Sequence, residues 1–413
     1  MKPLKIAVEY ERILHRLDGT VANLADSFLD HPSNIESKNP LVSEASLVQI
    51  EYNSPPRVSL DDLCKDILEA EEVSDSISPL LEVISIPISE TGAGKSTINQ
   101  DEHIQNRLTG YKVIFGEEMA KRLTKISGVH IHIDQYKPRL ANQYNLLLSL
   151  VPTIALTSTS SISDEGMNSE NCHRYKLFAD SKDGLFHDIP EEKGYIGSIE
   201  ELLARDRKRY DSWKREFDAN MWRSPNIPED YTFGKYFKPH NTGYSEVRYR
   251  PDVGNGTFEL RFNDSTPADI LMGQTALVLG YVSRVLENDI PVYIAEENDT
   301  YKFAEDEVML PNKETLYKYT ELGIESEEVR TYLNSIESFA RVYLEAKGQQ
   351  HYLNPIREII DSGENVASQM LDHLGEHKLR YTPQEAAQAN LFVWERHRQG
   401  IESLRQKSEY NRE

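Results

Sequence analysis

The chain has 413 residues, 38% of them hydrophobic, with 46 basic against 68 acidic side chains and a formal charge of −22. With that length and apolar content disorder is not the default reading, and the chain can bury a sizeable core, in two or three domains or in one elaborated α/β domain. The acidic excess argues against a general nucleic-acid or anionic-membrane surface, whose phosphates such a chain would repel.

The N-terminus puts Glu9 and Glu11 where a signal peptide would need its apolar region, and no later stretch of about 18 apolar residues could span a bilayer. Strand-like runs rich in large apolar residues fall at Ile6 to Leu14, Leu47 to Asn53, Leu81 to Ile88, Val129 to Asp134, Glu246 to Pro251 and Thr257 to Asn263. Ser59 before Leu60-Asp61-Asp62 reads as a helix N-cap with an acidic first turn. Thr266-Pro267-Ala268-Asp269 places Pro at the first position of a helix ending near Glu287. Helical periodicity also marks 138–157, 198–221, 326–346, 354–375 and 383–406. Ser158 to Glu170 and the acidic stretch Glu296 to Glu307 read as exposed loops. Short strands alternating with helices, then a helical end, predict a mixed α and β fold, with a sheet-and-helix domain over 1–290 and a mainly helical region over 291–413 packed on it. Cys64 and Cys172 are too few for a disulfide framework or a thiolate zinc site, which fits a reducing cytoplasm.

Alternate residues of a strand share a face, and here the two columns of each strand are chemically unlike. Glu9 and Glu11 oppose Val8, Tyr10 and Leu14; Gln49, Glu51 and Asn53 oppose Val48, Ile50 and Tyr52; His130, His132 and Asp134 oppose three aliphatics. Thr257, Glu259, Arg261 and Asn263 oppose Phe258, Leu260 and Phe262, and Glu246, Arg248 and Arg250 share one column. An antiparallel sheet with one wet face would give the same alternation. Yet these polar columns hold carboxylates, imidazoles and arginines with hardly any lysine, which is the selection expected of a site. If Glu9, Glu11, Glu51 and Glu259 converge, each pair about 6 Å apart repels by roughly 3 kcal/mol at an effective dielectric near 20, so the cluster needs cations. Carboxylates from several strands with one imidazole suit Mg²⁺, with Mn²⁺ also accepted, completed by the phosphates of ATP. Zinc on His130 and His132 is the alternative. Arg261 points into the same funnel, where it can meet a transferring phosphoryl group, or else form a salt bridge to Glu259 or Glu246.

Gly92-Ala93-Gly94-Lys95-Ser96-Thr97 is similar to the end of a phosphate-binding P-loop, but Ser89 stands at the motif's first Gly and no apolar helix clearly starts after Thr97. A glycine turn is the reading adopted.

Four segments in order resemble the glutamate-cysteine ligase superfamily, especially its carboxylate-amine ligase branch. They are Val8-Glu9-Tyr10-Glu11; Gln49-Ile50-Glu51-Tyr52-Asn53-Ser54-Pro55 with Glu44 seven positions before Glu51; Gly128-Val129-His130-Ile131-His132; and the long match from Arg248 through Arg250-Pro251, Gly256-Thr257 and Glu259-Leu260-Arg261 to Asp264. The resemblance covers about residues 5 to 290. It departs where the family's Thr-His-Pro is replaced by Ile88-Ser89-Glu90-Thr91-Gly92-Ala93-Gly94-Lys95. It implies an α+β fold related to glutamine synthetase, a curved, mainly antiparallel funnel covered by helices. It also implies Glu9, Glu11, Glu44, Glu51, His130 and Glu259 as metal ligands or their neighbours, Arg250 and Arg261 at the nucleotide, and Arg174 at a substrate carboxylate. The implied activity is an ATP- and Mg²⁺-dependent joining of a carboxylate, L-glutamate by family, to cysteine or another amine through an acyl phosphate. Small molecules are the expected partners, with no nucleic acid or membrane, and self-association is left open. The rival readings are a metal-dependent hydrolase and a nucleotide- or metabolite-binding protein without turnover.

Overall fold

The computed structural model describes residues 2–159, 162, 172, 175, 194–223, 227–228, 230–242, 244–296, 300–375, 378 and 380–410. The six strand-like runs pair into one antiparallel sheet. Its strands are β1 (Ile6–Arg16), β2 (Val42–Ser43), β3 (Gln49–Asn53), β4 (Val83–Ile86), β5 (Gly128–Asp134), β6 (Val247–Arg250) and β7 (Thr257–Asp264), in the order β2-β3-β1-β5-β7-β6. The long β1 is central: its first part pairs β3 and β5, and its end, from Ile13 to Arg16, pairs β4. Every one of these pairings is antiparallel.

The apolar columns do what their period dictates. Val8, Tyr10, Leu14, Ile50, Tyr52, Val129, Ile131, Ile133, Phe258, Leu260 and Phe262 are buried in one cluster with the helices behind the sheet. Arg12 lies on this same face and is wholly buried, its Nη1 donating to Glu71 at 2.6 Å, while His397 Nε2 stands 3.3 Å from the same carboxylate oxygen. The helix Ala268–Glu287 is buried from Ala268 to Leu286 and packs against the helices Glu327–Glu345 and Pro383–Tyr410. Ser59 caps Leu60–Leu81 as expected, its Oγ accepting from the Asp61 amide at 3.2 Å. A second, aromatic cluster of Trp213, Phe217, Phe233, Phe237 and Tyr244 with Val113 and Ile114 sits apart from the first.

Several boundaries move. Leu81 closes a helix, so β4 begins at Val83, after Glu82 has turned the chain with φ 53. Pro267 is the cap rather than the first helical residue of Ala268–Glu287. The 354–375 segment is two helices, Asn354–Ser362 and Val366–Leu374, because Gly363 takes φ 73 and ends the first. The 138–157 segment is broken into Leu140–Leu148 and Ile154–Thr157, each preceded by a 3₁₀ turn, Lys137–Arg139 around Pro138 and Val151–Thr153 around Pro152. Within Glu296 to Glu307, Lys302–Phe303 forms β9 of a small sheet with β8 (Val292–Ile294) and β10 (Val308–Leu310), and 297–299 lie outside the described residues, as does most of Ser158 to Glu170. Among the described residues no helix is long and apolar enough to cross a membrane.

Candidate metal and nucleotide site

The polar columns meet because antiparallel register sets their residues side by side. Glu11 of β1 lies opposite Glu51 of β3, Glu9 opposite His130 of β5, His132 opposite Glu259 of β7, and Glu259 opposite Arg248 of β6. Neighbouring strands are about 4.8 Å apart, so this diagonal row becomes a continuous floor. Above it is a cavity of about 400 Å³ lined by Glu9, Glu11, Glu44, Glu51, His130, Arg248 and Arg261. Its roof comes from the helix Glu102–Phe115, through His103, Ile104, Arg107, Leu108 and Tyr111, and from Trp213, Asn241 and Tyr244.

Two groups of side chains on this floor can each hold a metal ion, Glu9 with His132 and Glu259, and Glu11 with Glu44 and Glu51; in each group the ligand atoms lie within 4.8 Å of one another. His130 stands between them, its Nδ1 2.5 Å from Glu9 Oε2 and 3.7 Å from Glu259 Oε1, its Nε2 4.0 Å from Glu11 Oε1. His132 Nε2 lies 3.0 Å from Glu9 Oε1. Glu259 is 1% exposed and surrounded by guanidiniums: Arg261 Nε at 2.9 Å from Oε1, and Arg248 Nη1 at 3.2 Å and Arg250 Nη1 at 3.1 Å from Oε2. The salt bridge that the sequence offered as Arg261's other role is therefore present.

The electrostatics differ along the row. Burial pushes the Glu9 carboxyl up, but hydrogen bonds and charge from His130 and His132 hold it well below the usual carboxylate range. At Glu259 burial is likewise outweighed, by Arg248, Arg261 and His130, and the carboxyl stays ionised far into acid. At Glu51 the Asn53 amide donates to Oε1 at 2.6 Å, yet burial and the charges of Glu44, Glu11 and Glu9 push the carboxyl up to about 11. All-oxygen donors, and oxygens with one imidazole, are the donor sets hard divalent ions take, so the residues fit Mg²⁺ or Mn²⁺.

The structure thus brings Glu9, Glu11, Glu44, Glu51, His130, Glu259, Arg250 and Arg261 together, whereas Arg174 lies outside the described residues. Sequence reasoning kept His132 for the zinc alternative and gave Arg248 no role beyond its polar column, whereas His132 groups with Glu9 and Glu259 and Arg248 reaches Glu259; His130 stands beside the same carboxylates. Sequence reasoning also missed the roof helix. The signal was there, in Asp101 as a cap accepting from the His103 and Ile104 amides and in Ile104, Leu108, Tyr111 and Phe115 at helical spacing. The glycine segment is not a phosphate cradle of the P-loop kind. Asn23 clamps the Lys95 carbonyl and the Thr97 amide, Thr97 accepts from the Leu47 amide, and Ile98 bridges to Ser46, so the chain runs extended where that motif needs a helix start.

No protein-family model matches the sequence, and no curated protein sequence does. Among solved structures 27 chains match. Glutamate-cysteine ligase from Francisella tularensis, in complex with AMP, superposes with a TM-score of 0.51 over 99% of this chain and 93% of that one, at 12% identity. This chain has the glutamate-cysteine ligase fold. A bifunctional glutathione synthetase from Pasteurella multocida gives a TM-score of 0.49 at 15% identity over 95% of this chain, which spans only 52% of that protein. The ligase PafA, in complex with the ubiquitin-like protein Pup, gives 0.43 at 12% identity, covering 94% of this chain and 72% of that one. The resemblance carried by the four motifs therefore holds as a likeness of glutamate-cysteine ligase fold, and the mainly antiparallel α+β architecture it implied is the one observed.

Proposed function

We propose that the protein is a divalent-metal-dependent ligase that uses ATP to join a carboxylate, L-glutamate in the first instance, to an amine. The observation that carries this reading is the pair of carboxylate-rich ligand groups side by side on one strand floor, with three arginines at the Glu259 end. A carboxylate is a poor acyl donor because oxide is a bad leaving group. Transfer of the γ-phosphoryl group of ATP to a carboxylate oxygen gives an acyl phosphate and ADP; attack by the amine nitrogen then forms the amide and expels inorganic phosphate, the nitrogen losing a proton.

Glu9, Glu11, Glu44, Glu51, His132 and Glu259 hold the ions, and His130, in reach of Glu9, Glu11 and Glu259, steers those carboxylates. Bound Mg²⁺ or Mn²⁺ supplies neutralisation of phosphate charge. Arg261, with Arg248 and Arg250, stabilises the phosphoryl group in transit, and the roof helix excludes water from the acyl phosphate. Arg174 is assigned to the substrate carboxylate, and residues 291–413 to a helical buttress of the same unit. No covalent enzyme nucleophile is needed.

Glu259→Gln and Arg261→Ala should keep the wild-type circular-dichroism spectrum and lower Mg²⁺-dependent ADP release, with L-glutamate and a panel of amines, by at least about a hundredfold. Unchanged turnover in both variants removes the assignment. A hydrolase built on His130 and His132 would instead turn over without ATP.

A further inference from the structure

We propose that the protein carries a second small-molecule site, on the helix-covered face of its sheet, which takes a primary ammonium with an apolar body. The site does not depend on the ligase reading of the funnel.

A cavity of about 620 Å³ opens between the C-terminal half of the helix Leu60–Leu81, the strand β4 and the helix Pro383–Tyr410. That volume is within the range of small-molecule pockets. It lies behind the sheet, where Arg12 on the apolar face of β1 reaches Glu71, a residue of the cavity wall. Along the helix Leu60–Leu81, Glu71, Ser74 and Ser78 recur at helical spacing and so share one face, with Asp75 beside them. Ser85 of β4 stands across from them, its Oγ 3.1 Å from Ser74 Oγ. The rest of the wall is apolar, from Leu17, Pro79, Val83, Ile84 and Trp394.

Glu71 decides what the cavity can hold. It is 4% exposed, yet only one of its oxygens is satisfied: Oε2 accepts from Arg12 at 2.6 Å and faces His397 Nε2 at 3.3 Å, whereas Oε1 is buried without a hydrogen-bond partner. A buried carboxylate oxygen left unpaired costs stability until a donor reaches it. Burial pushes the Glu71 carboxyl up, but Arg12 and His397 bring it down to about 2, so at neutral pH it accepts and does not donate. Arg12 Nε and Nη2 are unpaired as well, but Arg12 does not border the cavity.

The charges nearby are matched, Glu71 by Arg12, and Asp75 by Arg398 at 2.6 Å and Arg405 at 3.5 Å, with Glu82 exposed at the mouth. The C-terminus of the helix Leu60–Leu81 adds negative potential, because its last turn holds no basic residue. An anion is poorly served: Arg398 is held by both oxygens of Asp75, and His397 turns Nδ1 to the Ala268 amide and Nε2 to Glu71. A metal ion is no better served, since among the described residues both candidate ligand groups lie on the funnel floor. A primary ammonium meets all of this. Its three N–H donors match Glu71 Oε1 and the serine hydroxyls, its charge suits the helix C-terminus, and Trp394 offers an aromatic wall to the cation and its apolar body.

The test is calorimetric titration of the whole chain, in EDTA, with 2-phenylethylamine and with two probes of similar shape, 2-phenylethanol and 3-phenylpropionate. One equivalent of the amine is expected to bind with a Kd below about 1 mM, and the alcohol and the acid at least about tenfold more weakly. Glu71 also anchors Arg12, so the variants are placed on the wall and at the mouth instead. Trp394→Leu and Glu82→Lys should each keep the wild-type circular-dichroism spectrum and weaken that equivalent by about tenfold. No amine binding with a Kd below about 1 mM, equal binding of the alcohol or the acid, or an equivalent left unchanged by either variant overturns the proposal.

Discussion

Glu51 is the residue on which charge, burial and pH act together. Its carboxyl, pushed up to about 11 by burial and by Glu44, Glu11 and Glu9, keeps its proton at neutral pH, whereas in the unfolded chain it loses it near 4.5. Through that window the folded chain holds one more proton, so the contribution of Glu51 to stability falls as pH rises. A divalent ion at Glu11, Glu44 and Glu51 displaces that proton, so its affinity climbs with pH, roughly tenfold per unit near neutrality. Calorimetric titration with Mn²⁺ at pH 7, in buffers of low and high ionisation enthalpy, should therefore report about one proton released per ion bound at this group. Heats independent of the buffer would contradict this. The floor residues themselves were legible because side-chain alternation alone decides the face: Glu9, Glu11, Glu51, Glu259 and Arg261 had nowhere else to point. The choice between His130 and His132 was not legible. Both share that face and both reach Glu9, and only the pairing of β5 with β1 and β7 sets His132 opposite Glu259 and His130 opposite Glu9. Arg12 was equally hidden, since a guanidinium in an apolar column is tolerated only through Glu71, 59 residues away.

At the scale of elements, the sheet is held in shape by the helix Ala268–Glu287, and glycine sets how closely its neighbours approach. A Cβ added at Gly280 would lie 2.9 Å from the Ala340 carbonyl oxygen and 3.0 Å from Leu344 Cγ of the helix Glu327–Glu345. Gly280→Leu should push these helices apart and lower unfolding stability by about 3 kcal/mol, read as a shift in the urea midpoint. A change below about 0.5 kcal/mol would show that the contact is not tight. Long periodic elements such as Glu327–Glu345 were legible from their apolar stripe and the acidic residues opening them. The roof helix Glu102–Phe115 was marked by its Asp101 cap and the spacing of Ile104, Leu108 and Tyr111 but overlooked, because its inner face mixes in His103 and Arg107, and polar groups facing a cavity blur an amphipathic pattern. The break at Gly363 was missed for a different reason. Apolar spacing continues across it into Val366–Leu374, and only the left-handed φ of 73 separates the two helices.

For the whole molecule, a period of two tells which face a strand buries but not which strand lies beside which. The order β2-β3-β1-β5-β7-β6 pairs residues as far apart in sequence as Gly128 and Asp264, or Ile6 and Ile133, and nothing local encodes it. What the chain order of the four motifs implied was the funnel, and the likeness to the Francisella ligase bears that out as a fold. The central claim is that this funnel phosphorylates a carboxylate. It is tested by supplying L-glutamate with ¹⁸O in its carboxylates, ATP, Mg²⁺ and the amine panel, and weighing the inorganic phosphate released by mass spectrometry. The account predicts ADP release with one labelled oxygen carried into each phosphate, because the acyl phosphate breaks at its carbonyl carbon. Unlabelled phosphate, or no ADP with any amine, would contradict it.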